Sequence, residues 1–138
     1  MNQANRFRVA LSGSFQTDNG EPVFPMFDLS PLVNDPDIEF DYVYGVGGRM
    51  TAQSLEDFDA LILLLEKFDA DSIPLSERLS LVTRFGVGYD TVDVEACTAA
   101  GIAVGITPDG VRRPVAASVL TFILALSGKL ILKDTLVR

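Results

Sequence analysis

The chain has no histidine and only one cysteine, Cys97. Histidine is the usual general base near neutral pH, so a mechanism that needs one must obtain it from outside this chain. A single cysteine excludes a disulfide framework and a cysteine-based zinc site, and it fits a reducing, cytoplasmic setting. We predict that Cys97 is a small apolar filler on a helix, because no histidine could activate it as a nucleophile.

Positive charge is scarce. The 138 residues include 11 basic and 19 acidic side chains, which gives a net charge of −8. This balance argues against nucleic acid or an anionic membrane as a partner. The charge is uneven, because residues 112–138 carry +4 and the rest of the chain carries −12. Either the two segments face different surroundings, or the basic segment is a solvated helix face.

Long hydrophobic runs are few. Residues 1–6 lack the apolar region of a signal peptide. Residues 115–126 are nearly all apolar, but Ser127, Gly128 and Lys129 interrupt the run after about a dozen residues, whereas a membrane span needs about twenty. We therefore expect no membrane span, and a helix that is apolar all round is better explained by burial between two bodies.

The remaining pattern alternates strands and helices. At 138 residues and 48% apolar content, one domain with a real core is expected. Apolar strands that alternate with helices predict a parallel, doubly wound sheet. The predicted strands are residues 7–11, 40–44, 60–65, 79–85 and 102–106. The predicted helices are residues 51–58, 72–78 and 92–100, a short one near 29–33 within a long loop, and a long one from Pro114 to the end after a turn at 107–110.

The segment RFGVGYD, residues 84–90, is the most informative motif. An apolar strand breaks into Gly-Val-Gly before a helix begins near Asp93, which leaves bare N–H groups at the carboxyl end of the strand. Open α/β sheets bind ligands at that edge, and an anion suits unpaired N–H groups. We expect Val87 and Gly88 to offer their backbone N–H groups to a small carboxylate. A tight turn without a ligand is the open alternative.

A dinucleotide-binding turn is the other interpretation of these glycines. Asp109 lies 21 positions beyond Gly88, close to where a ribose-binding acid would sit. However, Thr91 occupies the position of the third glycine, which normally lets the helix pack closely on the strand. The sequence therefore disfavours a pyrophosphate site here.

RFGVGYDTVDVEACTAAGIAVGITPDG, followed by RRPVAASVLTFILAL, closely resembles the D-isomer-specific 2-hydroxyacid dehydrogenases. The resemblance implies a flavodoxin-like sheet of about five strands in residues 1–110, which would be the substrate-binding domain. Residues 111–138 would be a long linking helix that leads toward an NAD-binding Rossmann domain. Thr91 departs from a common asparagine, and Ala117 departs from a usual glutamate.

The resemblance also implies site residues. Val87 and Gly88 match the pair whose amides hold the substrate carboxylate, and Lys67 and Phe68 follow Glu66 in the family's pocket loop. Arg112 would place positive charge near the acid, and Val111 and Val115 would line the cleft beside the nicotinamide of NAD.

The implied activity is hydride transfer between NAD and a D-2-hydroxy acid or 2-keto acid. The family's catalytic histidine, catalytic arginine and nucleotide-binding turn come later in its sequences, so we expect no catalytic residue in this chain, no metal, and no turnover by the chain alone. We also expect a cytoplasmic homodimer that associates through the long helix. The alternative function is a non-enzymatic flavodoxin-like module that binds a ligand or a protein.

Overall fold

The computed structural model describes residues 6–138. Residues 1–5, most of the segment in which we found no signal-peptide pattern, lie outside the described residues. The chain divides into two compact units. The first runs to Ile106 and the second comprises Thr107–Arg138. The boundary between the units lies four residues before the domain boundary expected from the sequence.

The first unit is built on a parallel sheet of five strands, β1 (Phe7–Ser12), β2 (Ile38–Val43), β3 (Ala60–Leu63), β4 (Leu81–Arg84) and β5 (Ala103–Ile106). Across the sheet their order is β2-β1-β3-β4-β5. This is the flavodoxin-like strand order, in which the direction of winding reverses between β1 and β3. The sheet confirms the predicted fold class.

The described residues of the first unit contain three short helices, α1 (Ser30–Val33), α2 (Ala52–Leu55) and α3 (Val94–Ala99), and side-chain caps start α2 and α3. Thr51 Oγ1 accepts a bond from the Ser54 N–H and starts α2, and Asp93 accepts one from the Ala96 N–H at 2.9 Å and starts α3. Gly101, at φ 72°, follows the last turn of α3. Short 3₁₀ turns lie at Gly13–Phe15 and Ala70–Ser72.

The predicted helix over residues 72–78 is wrong. A capping box at Asp69 forms only the 3₁₀ turn Ala70–Ser72, after which the chain is irregular. Pro74 cannot donate a helical hydrogen bond, and Glu77 has φ 55°, which a right-handed helix cannot include. Local capping and backbone strain override the apparent helical pattern here.

Alternate residues of the strands enter two separate core clusters, as the pleat of a sheet requires. Leu61 and Leu63 of β3 lie in the cluster that α3 covers, whereas Ala60 lies in the cluster on the opposite face. Cys97 is fully buried in the first cluster, and burial raises the pKa of its thiol, so it packs as the predicted apolar filler.

The second unit contains α4 (Pro108–Ser127) and α5 (Leu130–Val137). The predicted turn at 107–110 and the predicted start at Pro114 are wrong, because Pro108 opens α4 in its first turn, where proline is tolerated. Pro114 lies inside the helix. The predicted continuous helix also breaks, because Lys129 adopts φ 50° after Gly128.

Among residues 6–138, one helix, α4, is long and apolar enough to cross a membrane when judged by length and composition alone. A single helix of this kind is weak evidence for a span. None of its residues is buried. The expectation that the chain has no membrane partner therefore stays a prediction.

Asp59 joins the amino ends of three strands. Its carboxylate accepts bonds from Arg78 Nε at 2.9 Å, from Arg78 Nη2 at 2.8 Å and from the Arg8 N–H at 2.7 Å. Burial pushes the pKa of Asp59 upward, but the bonds from Arg78 and Arg8 outweigh it and hold the pKa below its usual 3.8. The ionised side chain thus stabilises the junction of β1, β3 and β4.

We expect Asp59→Asn to lower the free energy of unfolding by about 2 kcal/mol at neutral pH, because the charge-assisted bonds are lost. The folded-state pKa lies below the unfolded-state value, so the stabilisation is present above pH 3.8 and is lost as the pH falls further through the folded-state pKa. Urea unfolding at several pH values should therefore show the gap between wild type and variant closing in acid.

Asp71→Asn is the matched control, since the Asp71 carboxylate is mostly exposed and pairs with Arg49 at the surface. It should change stability much less than Asp59→Asn does. Equal effects of the two variants, or a gap that does not narrow in acid, would contradict the assignment of Asp59.

Candidate functional site

The loops that follow β1, β3 and β4 leave the sheet at the same edge. Leu63 of β3 pairs with Arg84 of β4, and Glu66 and Val87 lie three residues beyond them. Parallel strands bring their carboxyl ends together, and ligands bind outside this edge where the strand order reverses. The edge is therefore the candidate functional site of the first unit.

The loop after β4 requires glycine at its first turn. Gly86 has φ 147°, a conformation that L side chains rarely adopt, and a Cβ built there would lie 2.6 Å from Arg84 Nη1. The Arg84 side chain folds against this turn, and its Nη1 donates to the carbonyl of Phe85. Arg84 thus adds positive charge beside Gly86.

Val87 and Gly88 follow this turn, and their backbone is accessible to a ligand. Val87 is 51% exposed, and neither residue's N–H donates a hydrogen bond to any residue from 6 to 138. A Cβ built on Gly88 would meet only Asp90 Oδ2, at 3.7 Å. The backbone can therefore be approached closely, although Asp90 is a nearby negative charge that opposes an anion.

Unpaired N–H groups of consecutive residues are suited to an anion, and the guanidinium of Arg84 adds favourable positive charge to this candidate site. The first residue of RFGVGYD was visible in the sequence, but nothing in the pattern showed that its side chain turns back onto the glycines. Arg84 is therefore a residue of the site that sequence reasoning missed.

The structure corrects the assignment of Phe68. Its side chain is fully buried in the core, so it cannot contact a substrate. Its backbone N–H donates to the Thr91 carbonyl at 2.8 Å, and its carbonyl accepts from the Asp93 N–H at 2.9 Å. Phe68 therefore fixes the loop after β4 instead of lining a pocket.

Lys67 is exposed at the same edge, but its charge is already compensated. Its Nζ lies 3.3 Å from Asp69 Oδ2, and Arg49 Nη2 lies 3.1 Å from the same oxygen. The Lys67 N–H donates to the Gly48 carbonyl at 2.8 Å. Its proposed contact with a substrate would have to compete with the Asp69 ion pair.

Arg112, Val111 and Val115 lie on α4, in the second unit. Arg112 Nη1 is 3.4 Å from Asp109 Oδ1, Val111 is half-buried and Val115 is exposed. The roles of these three residues beside the substrate and the nicotinamide stay predictions.

Glu66 forms a hydrogen-bonded cluster with Ser12, the last residue of β1, and with Ser14 in the turn that follows. Its Oε2 accepts from Ser12 Oγ and from Ser14 Oγ at 2.9 Å, and its Oε1 accepts from the Ser14 N–H at 3.3 Å. Burial pushes the pKa of Glu66 upward, but these bonds outweigh it and leave the pKa below its usual 4.5. The sequence placed Glu66 after the third strand, but no pattern in it indicated that Ser12 and Ser14 face this side chain.

The part of the chain that the structure describes contains no group of three histidine, cysteine or carboxylate side chains that could hold a metal ion. The candidate anion site therefore consists of backbone N–H groups and one guanidinium.

Comparison with known proteins identifies the family to which this chain is related. The sequence model of the catalytic domain of the D-isomer specific 2-hydroxyacid dehydrogenases matches residues 28–119. The glyoxylate reductase of Thermococcus onnurineus is 34% identical over 94 residues, which are 67% of this chain and 28% of the relative. That of Thermococcus gammatolerans is 38% identical over 87 residues, which are 62% of this chain and 26% of the relative. The chain thus spans about a quarter of the length of these relatives.

Solved structures share the fold. The TT0316 protein of Thermus thermophilus has a TM-score of 0.70 at 23% identity, over 96% of this chain and 40% of that one. The 3-phosphoglycerate dehydrogenase of Entamoeba histolytica, solved with NAD+, has a TM-score of 0.68 at 20% identity, over 87% of this chain and 39% of that one. With the family match across more than half of the sequence, this chain belongs to the D-isomer specific 2-hydroxyacid dehydrogenase family, through its catalytic domain.

Proposed function

We propose that this chain is the substrate-binding part of an oxidoreductase that transfers hydride between NAD and a small 2-keto or D-2-hydroxy acid. The observation that carries the proposal is the pair of unpaired N–H groups of Val87 and Gly88 at the carboxyl edge of the sheet. Family membership supports the reaction type, and the open turn supports the chemical class of the ligand.

The two N–H groups would each donate to the substrate's carboxylate. Hydrogen bonds to a charged group contribute more than neutral ones, about 1.5–3 kcal/mol each, and the Arg84 guanidinium adds favourable charge. Holding the carboxylate fixes the position of the adjacent carbon, which is the carbon that gains or loses hydride. The contribution of this chain is therefore orientation, which lowers the barrier by reducing the entropy that must be lost in the transition state.

The match to proteins named glyoxylate reductase favours a small substrate. Glyoxylate is a two-carbon 2-oxo acid, so nearly all of its binding energy must come from its carboxylate and its carbonyl oxygen. A turn that presents bare backbone suits such a ligand, because glycine at position 88 lets a small molecule approach the N–H groups closely.

The residues that the structure describes suit the nicotinamide ring of NAD but not its pyrophosphate. Thr91 fills the position where a dinucleotide turn has its third glycine, and its side chain opposes the close helix–strand packing of such a turn, so this turn does not fit a pyrophosphate. Val111 and Val115 offer apolar side chains that suit a nicotinamide ring. NAD, when bound, would supply or accept the hydride.

The similarity to dehydrogenases does not favour the alternative of a non-enzymatic module. Catalysis nevertheless needs a proton donor or acceptor, and the chain has no histidine. The chain by itself should therefore bind the acid without converting it.

We expect glycolate to bind the Val87–Gly88 turn with millimolar affinity. Two-dimensional NMR of the ¹⁵N-labelled chain should show saturable shifts of the Val87 and Gly88 amides, because both N–H groups gain an acceptor. Ethylene glycol, which lacks the carboxylate, is the matched control ligand and should leave these amides unmoved. Absence of a glycolate shift, or equal shifts with both ligands, would contradict the proposed function.

We expect Arg84→Gln to weaken glycolate binding about tenfold, because the positive charge beside Gly86 is lost. Arg84→Lys, which keeps the charge, should weaken it less. Arg6→Gln serves as the control, since Arg6 precedes β1 at the opposite edge of the sheet. An affinity unaffected by Arg84→Gln in a folded variant would remove Arg84 from the site.

We expect no oxidation of NADH when the chain alone is mixed with glyoxylate, since no histidine is present to deliver the proton. The absorbance of NADH measures this directly. A rate above the protein-free control would show that the chain carries a complete active site.

A further inference from the structure

A cavity of about 540 Å³ opens at the carboxyl ends of β1 and β3. Its lining includes Ser14 and Asp18 from the loop after β1, Tyr44 after β2 and Glu66 after β3, but neither Val87 nor Gly88. Its volume falls within the range of small-molecule sites, and it lies where the strand order reverses. The cavity is therefore separate from the carboxylate-binding turn.

The charge of this cavity is entirely negative. Among its lining residues only Asp18 and Glu66 are charged, and within residues 6–138 neither of them forms an ion pair. Glu66 is only 8% exposed. Hydrogen bonds from the serines stabilise this carboxylate, but no basic side chain in residues 6–138 is paired with it, so the cavity attracts a positively charged ligand.

The hydrogen bonds of Glu66 leave one acceptor position open. Oε2 lies within hydrogen-bond distance of both serine hydroxyls, which also contact each other at 2.7 Å, and of the Leu65 N–H at 3.3 Å, whereas Oε1 accepts only the 3.3 Å bond from the Ser14 N–H. A carboxylate oxygen has two lone pairs, so Oε1 can accept a second donor. The serines fix the orientation of the carboxylate before any ligand arrives.

An aromatic ring completes the cavity wall. The Tyr44 ring packs so closely on Gly13 that a Cβ there would lie 2.3 Å from Tyr44 Cδ1, and the Tyr44 hydroxyl donates to Gln16 Oε1 at 2.7 Å. These contacts hold the ring in place while the residue stays 60% exposed. The face of an aromatic ring attracts cations.

We propose that this cavity is a second ligand site, which binds the ammonium group of a small organic amine between the Glu66 carboxylate and the Tyr44 ring. An ammonium group supplies both things that the cavity lacks, a positive charge and a donor for Oε1. An anion would be repelled by Asp18 and Glu66. A neutral alcohol would supply the donor without the charge, and the described residues form no cluster suited to a metal ion. This site does not depend on the proposed dehydrogenase function.

The test uses ethanolamine as the cation and 1-propanol as its neutral counterpart, in which a methyl group replaces the ammonium. NMR titration of the ¹⁵N-labelled chain should show saturable shifts of the Gly13 and Ser14 amides with ethanolamine only. Equal shifts with both compounds, or none with ethanolamine, would overturn the proposal.

Glu66→Gln should weaken ethanolamine binding about tenfold, because the charge is lost while the size of the side chain is kept. Glu95→Gln, at an exposed position on α3, removes the same charge elsewhere and should have no effect. If Glu66→Gln does not fold, Asp18→Asn and Tyr44→Leu provide the test, and each should weaken binding severalfold. Ethanolamine affinity that survives all folded variants in the cavity would overturn the proposal.

Discussion

The parallel pairing of β3 with both β1 and β4 is the constraint on which both sites depend. Because the three strands run in the same direction, their carboxyl ends open at one edge. Glu66 therefore contacts Ser12 at the end of β1 and Ser14 just after it, and the turn at Val87 and Gly88 lies beside the loop that follows β3. A strand that paired in the opposite direction would send one of these loops to the far edge, and neither group of residues would assemble.

The two proposed sites differ in the charge of the ligand they would bind, but both depend on hydrogen-bond donors at the carboxyl ends of the strands. At the proposed anion site, the donors are backbone N–H groups and one guanidinium. At the β1–β3 edge, backbone and hydroxyl donors instead stabilise a negative side chain, Glu66, so that it stays ionised while buried. At the β1–β3 edge, donors stabilise a carboxylate of the protein. At the Val87–Gly88 turn, the N–H groups are unpaired within residues 6–138 and available to the carboxylate of a ligand.

The prediction from sequence was wrong or incomplete at Phe68, in the segment after Ser72 and at Arg84. Phe68 follows an apolar strand near the expected pocket, and only the packing of α3 against the sheet shows that its side chain belongs to the core. The segment after Ser72 has a helical composition, but Pro74 and the strained backbone of Glu77 end the turn. Arg84 was visible in the motif, yet the direction of a side chain that folds back over a glycine cannot be read from spacing.

The sequence alone determined the parallel α/β architecture, the glycine turn that exposes two N–H groups and the lack of a histidine, because hydrophobic period, glycine positions and composition are local properties of the chain. Tertiary structure alone decided which residues share the edge of the sheet: it brought Ser12 and Ser14 to Glu66, Tyr44 to Gly13 and Arg84 to Gly86. These contacts depend on strand order and side-chain direction, which arise only when segments far apart in the sequence pack together.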